Sequence, residues 1–320
     1  MTEGTVTPAT WVEPTRRPVS PGAERWIGQR IAVLDHGYVE LLDYMGTDRE
    51  IVLAARTTTD TEDVKGPAEN RRLLRFLVRR RHSTPVEFCR VKVRMQMPVL
   101  VARQIIRHRM TSTNEYSLRY SPPIDATYLP ELEHVALQAT TNRQGRGDAL
   151  PTEVAARVRK LMSAHADASF RLYNELADDL GVARELARSV LPMSLYTRWV
   201  WTIDLHNLMH LLGLRLDPHA QLETRVYAEA LARIARDWVP EAFAAFEDYR
   251  LHAVTFSRLE SAALAALFPR WTRTAVEDPA DLAREAGEQA GLAGGELDEF
   301  TAKIAQVLAA PAFDWVGGAP

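Results

Sequence analysis

Phe88, Val91, Val93, Met95 and Met97 alternate, with one break, against Arg90, Lys92, Arg94 and Gln96. That period of two predicts a half-buried strand. Pro98 should end it, because proline suits the first turn of a helix, and Val99 to about His108 is then expected to be helical. On such a helix Gln104 lies three residues before Arg107 and four before His108, so one face carries all three toward Arg109. A strand is also expected at 38–44, followed by a helix over about 48–57 that the capping-box pair Thr47 and Glu50 opens. Leu73, Leu74, Leu77 and Val78 give Asn70–Arg81 one apolar side. Val154, Val158, Leu161, Met162, His165, Leu172 and Leu176 predict a long helix from Thr152 to Asp179, stopped at Gly181. A short helix at 183–191 and an aromatic, β-branched strand at 195–203 come next. Asp204 can cap a helix to about Arg215, and one final helix is expected over 222–250.

Strands separated by helices of such unequal length do not alternate regularly, so the predicted fold class is α+β: a complex fold with a central mixed or antiparallel sheet flanked by long helices. There is no Rossmann motif, and a bound dinucleotide would need another phosphate site. Residues 1–28, with Pro8, Pro14, Pro18 and Pro21, read as a flexible N-terminal extension, 29–256 as the principal domain, and 257–320 as an Ala-rich acidic extension. From Ala275 onward nine acidic residues face only Arg284 and Lys303, and this tail is assigned no chemistry.

A net charge of −3 across 320 residues argues against a general polyanion binder. Any anion must then be held by local basic clusters, which points to a small one. Cys89, the single cysteine, cannot form an internal disulfide and suits a reducing cytoplasm. No apolar run approaches the ~18 residues of a membrane span, so a soluble protein with no membrane partner is expected.

The segment RHRMTSTNEYSLRYS, Arg107 to Ser121, is dense in ligand-type side chains and poor in core residues. Arg107, Arg109 and Arg119 offer planar forks for phosphate, while Asn114, Glu115 and Ser117 can read polar ring edges. No activating triad accompanies Ser117, which is therefore read as a ligand and not a nucleophile. Cys89 likewise has no histidine beside it and is expected to be a small buried hydrophobe. Two other readings concern different residues. The six arginines of the Arg71–Arg81 helix could serve an RNA-binding or regulatory module, although a solvated amphipathic helix is preferred because a stacking platform needs several aromatics among the arginines. His206 and His210, at i and i+4, could serve a zinc hydrolase, but Asn207 stands where the catalytic glutamate would be and Leu216 where a third histidine would be expected, so no metal is predicted.

Arg107, His108 and Arg109, then seven residues, then Ser117, resemble the signature of the flavin-dependent thymidylate synthases. RHSTPVEF at Arg81–Phe88, VARQIIRHR, the stretch Gly181–Thr202 and LGLRLDPHAQ at Leu212–Gln221 carry the same resemblance, in the family's order, over about residues 30–255. The resemblance implies a methyltransferase that makes dTMP from dUMP without a cysteine nucleophile, with 5,10-methylenetetrahydrofolate as carbon donor and NADPH-reduced FAD as hydride source. It implies Gln104, Arg107, Glu115, Tyr116, Ser117, Leu118, Arg119, Arg188 and Arg215 as dUMP ligands, with Arg215 catalytic; a pairing of Arg215 with Asp217 is the structural alternative. For FAD it implies Thr84, Arg107, His108, Arg109, Glu115, Asp204, Leu205, His206 and His210, with His82 and Glu87 as neighbours. Other members carry Asn-x-Arg and a later Asn where this chain has Asp204, His206 and His210, so its contacts to the adenosine side are expected to differ. The resemblance also implies a homotetramer whose active sites draw on more than one subunit.

Overall fold

The computed structural model describes residues 17–59, 66–140, 145–256 and 279–308. Strands β1 (Arg30–Val33) and β2 (Gly37–Met45) form a hairpin onto which β3 (Arg90–Pro98) adds, while β4 (Thr111–Glu115) occupies the far edge. After a small separate hairpin, β5 (Ala136–Gln138) and β6 (Arg146–Ala149), strand β7 (Tyr196–Asp204) inserts between β3 and β4. The order is β1-β2-β3-β7-β4 and every pair is antiparallel.

The strand pattern works as the sequence predicts. Val91, Val93 and Met95 lie opposite Ile203, Trp201 and Trp199, and all six are buried. On the other face Lys92, Arg94 and Gln96 lie opposite Thr202, Val200 and Arg198. The register of one face fixes that of the other, because a slip of one residue would turn both tryptophans to water. β3 begins at Arg90, two residues after Phe88, which instead follows a single-turn helix and stays exposed.

The helices cover the buried face except those at 152–174 and 184–187, which add nothing to its core. In chain order they are α1 (Pro21–Glu24), α2 (Asp48–Arg56), α3 (Pro67–Arg79), α4 (Thr84–Glu87), α5 (Val99–Ile105), α6 (Thr152–Asn174), α7 (Arg184–Ala187), α8 (Leu205–Arg215), α9 (Leu222–Trp238) and α10 (Pro240–Phe246). The Thr47–Glu50 capping box and the Asp204 cap form as expected. Three expectations change. The helix after Pro98 stops at Ile105 and does not reach His108. Thr111–Glu115, to which the sequence pattern assigns no element, forms β4, an edge strand whose polar sequence gives no apolar alternation. The single helix expected over 222–250 is broken, because Pro240 offers no N–H and Val239 before it sits at φ −132, ψ 67. The new N-terminus at α10 is capped from outside: the Asp48 carboxylate accepts from the N–H groups of Glu241 and Ala242 at 3.0 and 2.9 Å.

Two compact units divide the chain, one ending at His252 and the other beginning at Ala253. In the first, Ser20 donates to Trp238 O at 2.8 Å and Trp26 donates to Asp237 at 2.8 Å, so part of the expected N-terminal extension is packed; residues 1–16 lie outside the described residues. In the second, Pro279–Gln289 and Gly295–Leu308 are helices that pack on each other, with Ala283 and Leu297 buried. Residues 257–278 and 309–320 of the expected extension lie outside the described residues. No described helix is long and apolar enough to cross a membrane.

The arginine-rich α3 turns its charge toward the protein. Arg71 forms an ion pair with Glu241 at 2.6 Å, and Arg75 reaches Asp248 and the Tyr249 hydroxyl at 2.7 Å each. The helix ends in a Schellman arrangement, His82 N–H to Leu77 O and Arg81 N–H to Val78 O, which requires φ +61 at Arg81. Glycine normally fills that position, since a side chain there costs about 1–2 kcal/mol. Arg81→Gly is therefore expected to stabilise the fold by about 0.5–1 kcal/mol after the entropic penalty of glycine, read from urea unfolding midpoints; a lower midpoint would show that the guanidinium is worth more than the strain.

Candidate functional site

Beyond Ile105 the chain turns tightly, with Arg107 N–H reaching Gln104 O at 3.4 Å and His108 N–H reaching Ile105 O at 3.0 Å, before entering β4 opposite Ile203. This brings His108 against the C-terminal half of α8. Arg215 Nε donates to His108 Nε2 at 3.2 Å, and the His108 and His210 rings meet edge to face at 6.0 Å. Burial, reinforced by Arg215 and His210, lowers the His108 imidazole to about 4, so at neutral pH it is uncharged and its Nε2 can accept that bond. Burial and the charge of Arg107 hold Arg215 below the usual guanidinium range. Asp217 does not pair with Arg215; it binds the backbone and ring of His219 at 2.7 and 2.9 Å. Among the described residues no carboxylate pairs with Arg107 or Arg215. Two guanidinium groups close enough to disfavour each other, with no counter-charge, form an anion site.

A cleft of about 490 Å³ opens beside the start of α8, lined by Thr84, Glu87, Phe88, Arg90, Met110, Asp204, His206 and Asn207. Phe88 and Met110 are exposed within it, and they offer apolar faces among polar groups. Asp204 is buried and already engaged, capping Asn207 N–H at 2.9 Å and holding the Asn207 amide at 2.8–3.0 Å. Leu205 is fully buried, its N–H donating to Cys89 O at 2.8 Å. His206 faces this cleft while His210 faces His108, so the two imidazoles serve different surroundings. Among the described residues no group of three or more His, Cys, Asp or Glu is placed to hold a metal ion.

A second cleft, of about 250 Å³, is lined by Val99, Glu115, Tyr116, Ser117, Leu118, Arg188, Leu195, Tyr196 and Thr197. Five of the predicted ligands meet there. Glu115 accepts from Thr197 Oγ1 at 2.7 Å, and the Ser117 hydroxyl accepts from Arg119 N–H at 3.3 Å. The Arg119 side chain turns to Glu185 at 3.4 Å, next to Arg188, which donates to Glu185 O at 3.3 Å. Arg109 is exposed and without an ion pair among the described residues. Gln104 is fixed on both sides, accepting from Thr224 Oγ1 at 3.0 Å and donating to Gln221 Oε1. Neither Thr224 nor Glu223 behind it was singled out from sequence, because both read as polar interruptions of a helix; their complete burial emerges only when α9 packs.

Cys89 is fully buried. A Cβ added at Gly46, which has φ +82, would lie 2.6 Å from its Sγ. Burial, together with the nearby Glu50 and Asp48 charges, pushes its thiol up to about 12. It has no part in either cleft.

An antiparallel sheet that brings two guanidinium groups without a counter-charge together near two clefts defines a protein suited to binding a small anion. The model of the family described as thymidylate synthase complementing protein matches residues 40–241. A flavin-dependent thymidylate synthase of Ruegeria pomeroyi is 50% identical over 247 residues, covering 76% of this chain and 82% of that protein. The one from Gluconobacter oxydans is 48% identical over 245 residues, covering 76% and 80%. Among solved structures, a UMP/dUMP methylase, PolB of Streptomyces cacaoi, bound with 5-Br dUMP, is 29% identical with a TM-score of 0.63, over 69% of this chain and 99% of that one. The chain belongs to the flavin-dependent thymidylate synthase family.

The depressed His108 makes a stability prediction. A histidine whose folded value lies below its unfolded one leaves the native state with fewer protons, so stability falls as pH drops from about 6.5 toward about 4. In urea titrations at pH 7 and pH 5, His108→Gln should lose less stability on acidification than the parent protein; equal losses would refute the neutral imidazole.

Proposed function

We propose that the protein converts dUMP to dTMP, taking the carbon from 5,10-methylenetetrahydrofolate and the reducing equivalents from NADPH by way of FAD. What carries this reading is the Arg215–His108 contact. C5 of uracil is a poor nucleophile, so the ring must be activated either by covalent attack at C6 or by stabilising negative charge that develops on it. The sole thiol is sealed and protonated, which leaves the second route. Neutral His108 holds Arg215 through Nε, so the terminal guanidinium nitrogens remain available to an anionic pyrimidine. Arg107, near enough to act on Arg215, adds a second positive charge.

By this reading dUMP is held by Gln104, Arg107, Glu115, Tyr116, Ser117, Leu118, Arg119, Arg188 and Arg215, the arginines serving phosphate and the polar groups serving sugar and base. The 490 Å³ cleft fits part of a flavin nucleotide, because Phe88 and Met110 present apolar faces beside hydrogen-bonding Thr84, Arg90, His206 and Asn207. Thr84, Arg107, His108, Arg109, Glu115, His206 and His210 would hold FAD, with Asp204 and Leu205 fixing the start of α8 behind them. Bound there, FAD supplies the hydride that completes the methyl group. The clefts of one chain are separate and open, which supports a homotetramer whose sites are completed by neighbouring copies. The lone buried thiol suits the cytoplasm. No observation favours an RNA-binding module, since Arg71 and Arg75 are engaged within the protein, or a zinc hydrolase.

Tritium release from C5-labelled dUMP, assayed anaerobically with NADPH and the folate, tests the reaction directly. Arg107→Ala should raise the dUMP Kd by about 10–100-fold, the worth of a charge-assisted hydrogen bond. Arg215→Ala should lower kcat by about 10²–10³-fold. Folded Cys89→Ser should still form dTMP, and abolished turnover in that variant would sink the thiol-free mechanism.

A further inference from the structure

We infer that Glu223 is a positioning residue for substrate binding: its carboxylate sets, through Gln221, which edge of the Gln104 amide faces the ligand. The inference rests on Gln104 being a dUMP ligand. Glu223 is 1% exposed and receives three donors, the Tyr128 hydroxyl at 2.8 Å, the Gln221 Nε2 amide at 2.8 Å, and Arg146 from β6. An ionised carboxylate can only accept. Burial works to raise its pKa, but the hydrogen bonds from Arg146, Gln221 and Tyr128 outweigh burial and hold it below the usual carboxylate range, so it stays ionised at neutral pH.

The consequence propagates. Because Glu223 can only accept, Gln221 must present its amide nitrogen to it and its carbonyl oxygen outward. That oxygen can only accept, so Gln104 must present its own nitrogen to Gln221. The Gln104 oxygen then faces the Thr224 hydroxyl, which donates to it at 3.0 Å. A glutamine amide has two N–H donors and two oxygen lone pairs; the relay takes one of each and leaves one of each, in a fixed order, for a ligand. Without an acceptor-only terminus both amides could turn over, and a ligand would meet donor and acceptor in exchanged places. Arg146 supports the carboxylate from β6, so the small β5–β6 hairpin is tied to the same relay although it contributes no group to either cleft that holds predicted ligands.

The test measures dUMP affinity and the KM-against-kcat split in the FAD-loaded enzyme for Glu223→Gln, Thr224→Val and Gln104→Ala. Glu223→Gln keeps shape and replaces one acceptor oxygen with a donor, so it should raise the dUMP Kd about tenfold, the value of one hydrogen bond, with the loss falling on KM. Thr224→Val removes the donor at the other end without touching Glu223 and should move KM in the same direction; it also decides the matter if Glu223→Gln fails to fold. Gln104→Ala separates the premises. If it leaves Kd unchanged, Gln104 is not a substrate ligand and the inference falls with that reading. If it weakens binding while folded Glu223→Gln and Thr224→Val both bind dUMP normally, the relay alone is refuted.

Discussion

The antiparallel pairing of β3 with β7 is the constraint from which the site follows. Nine consecutive residue pairs, Arg90 with Asp204 through Pro98 with Tyr196, lock the register of the two central strands, and the buried tryptophans of β7 make any slip prohibitive. Each strand then hands the chain to a helix at its C-terminal end: Pro98 to α5, Asp204 to α8. Those helices end at the two places that matter, the turn before His108 and the guanidinium of Arg215. Because β4 also pairs with β7, starting opposite Ile203, the turn between α5 and β4 is anchored on both sides. Residues more than a hundred positions apart in sequence meet with little conformational freedom left to lose.

Electrostatics at that meeting point runs against stability. The charge of Arg107 disfavours that of Arg215, and His108 is kept from taking a proton by burial, by Arg215 and by His210. A fold optimised only for stability would place a carboxylate there, as it does for Arg71 with Glu241 and for Arg146 with Glu223. Arg107 and Arg215 differ in this from Arg71 and Arg146, which are paired within the chain. That difference also explains why local charge decides binding here while the molecule as a whole is slightly acidic.

How legible this was in the sequence depends on which residues carried the information. Val91 to Met97, the Thr47–Glu50 box and the Asp204 cap are local signals, and each element formed where the spacing indicates. β4 was illegible because Thr111 to Glu115 is polar on both faces and becomes a strand only by pairing with β7. The break at Pro240 was readable from the proline itself, but the apolar periodicity runs through it and suggests one helix. For the site, the motifs suggested a ligand set, and the clefts gather Thr84, Asp204 and His206 in one place and Glu115 to Leu118 with Arg188 in another. What no motif conveyed is that Asp204 and Leu205 are consumed by the fold. Nor did any reveal that Glu223 and Thr224, polar residues on the inner side of α9, stand behind Gln104.

The sealed position of Cys89 bears on how such an enzyme could be inhibited. Pyrimidines designed to be captured by a thiolate find no accessible cysteine in the folded chain, since its one thiol is fully buried beside the backbone of Gly46. Selective chemistry against it would instead need to exploit the positive charge that the resting site leaves without a partner, so tight-binding anionic mimics of the activated ring are the natural starting point.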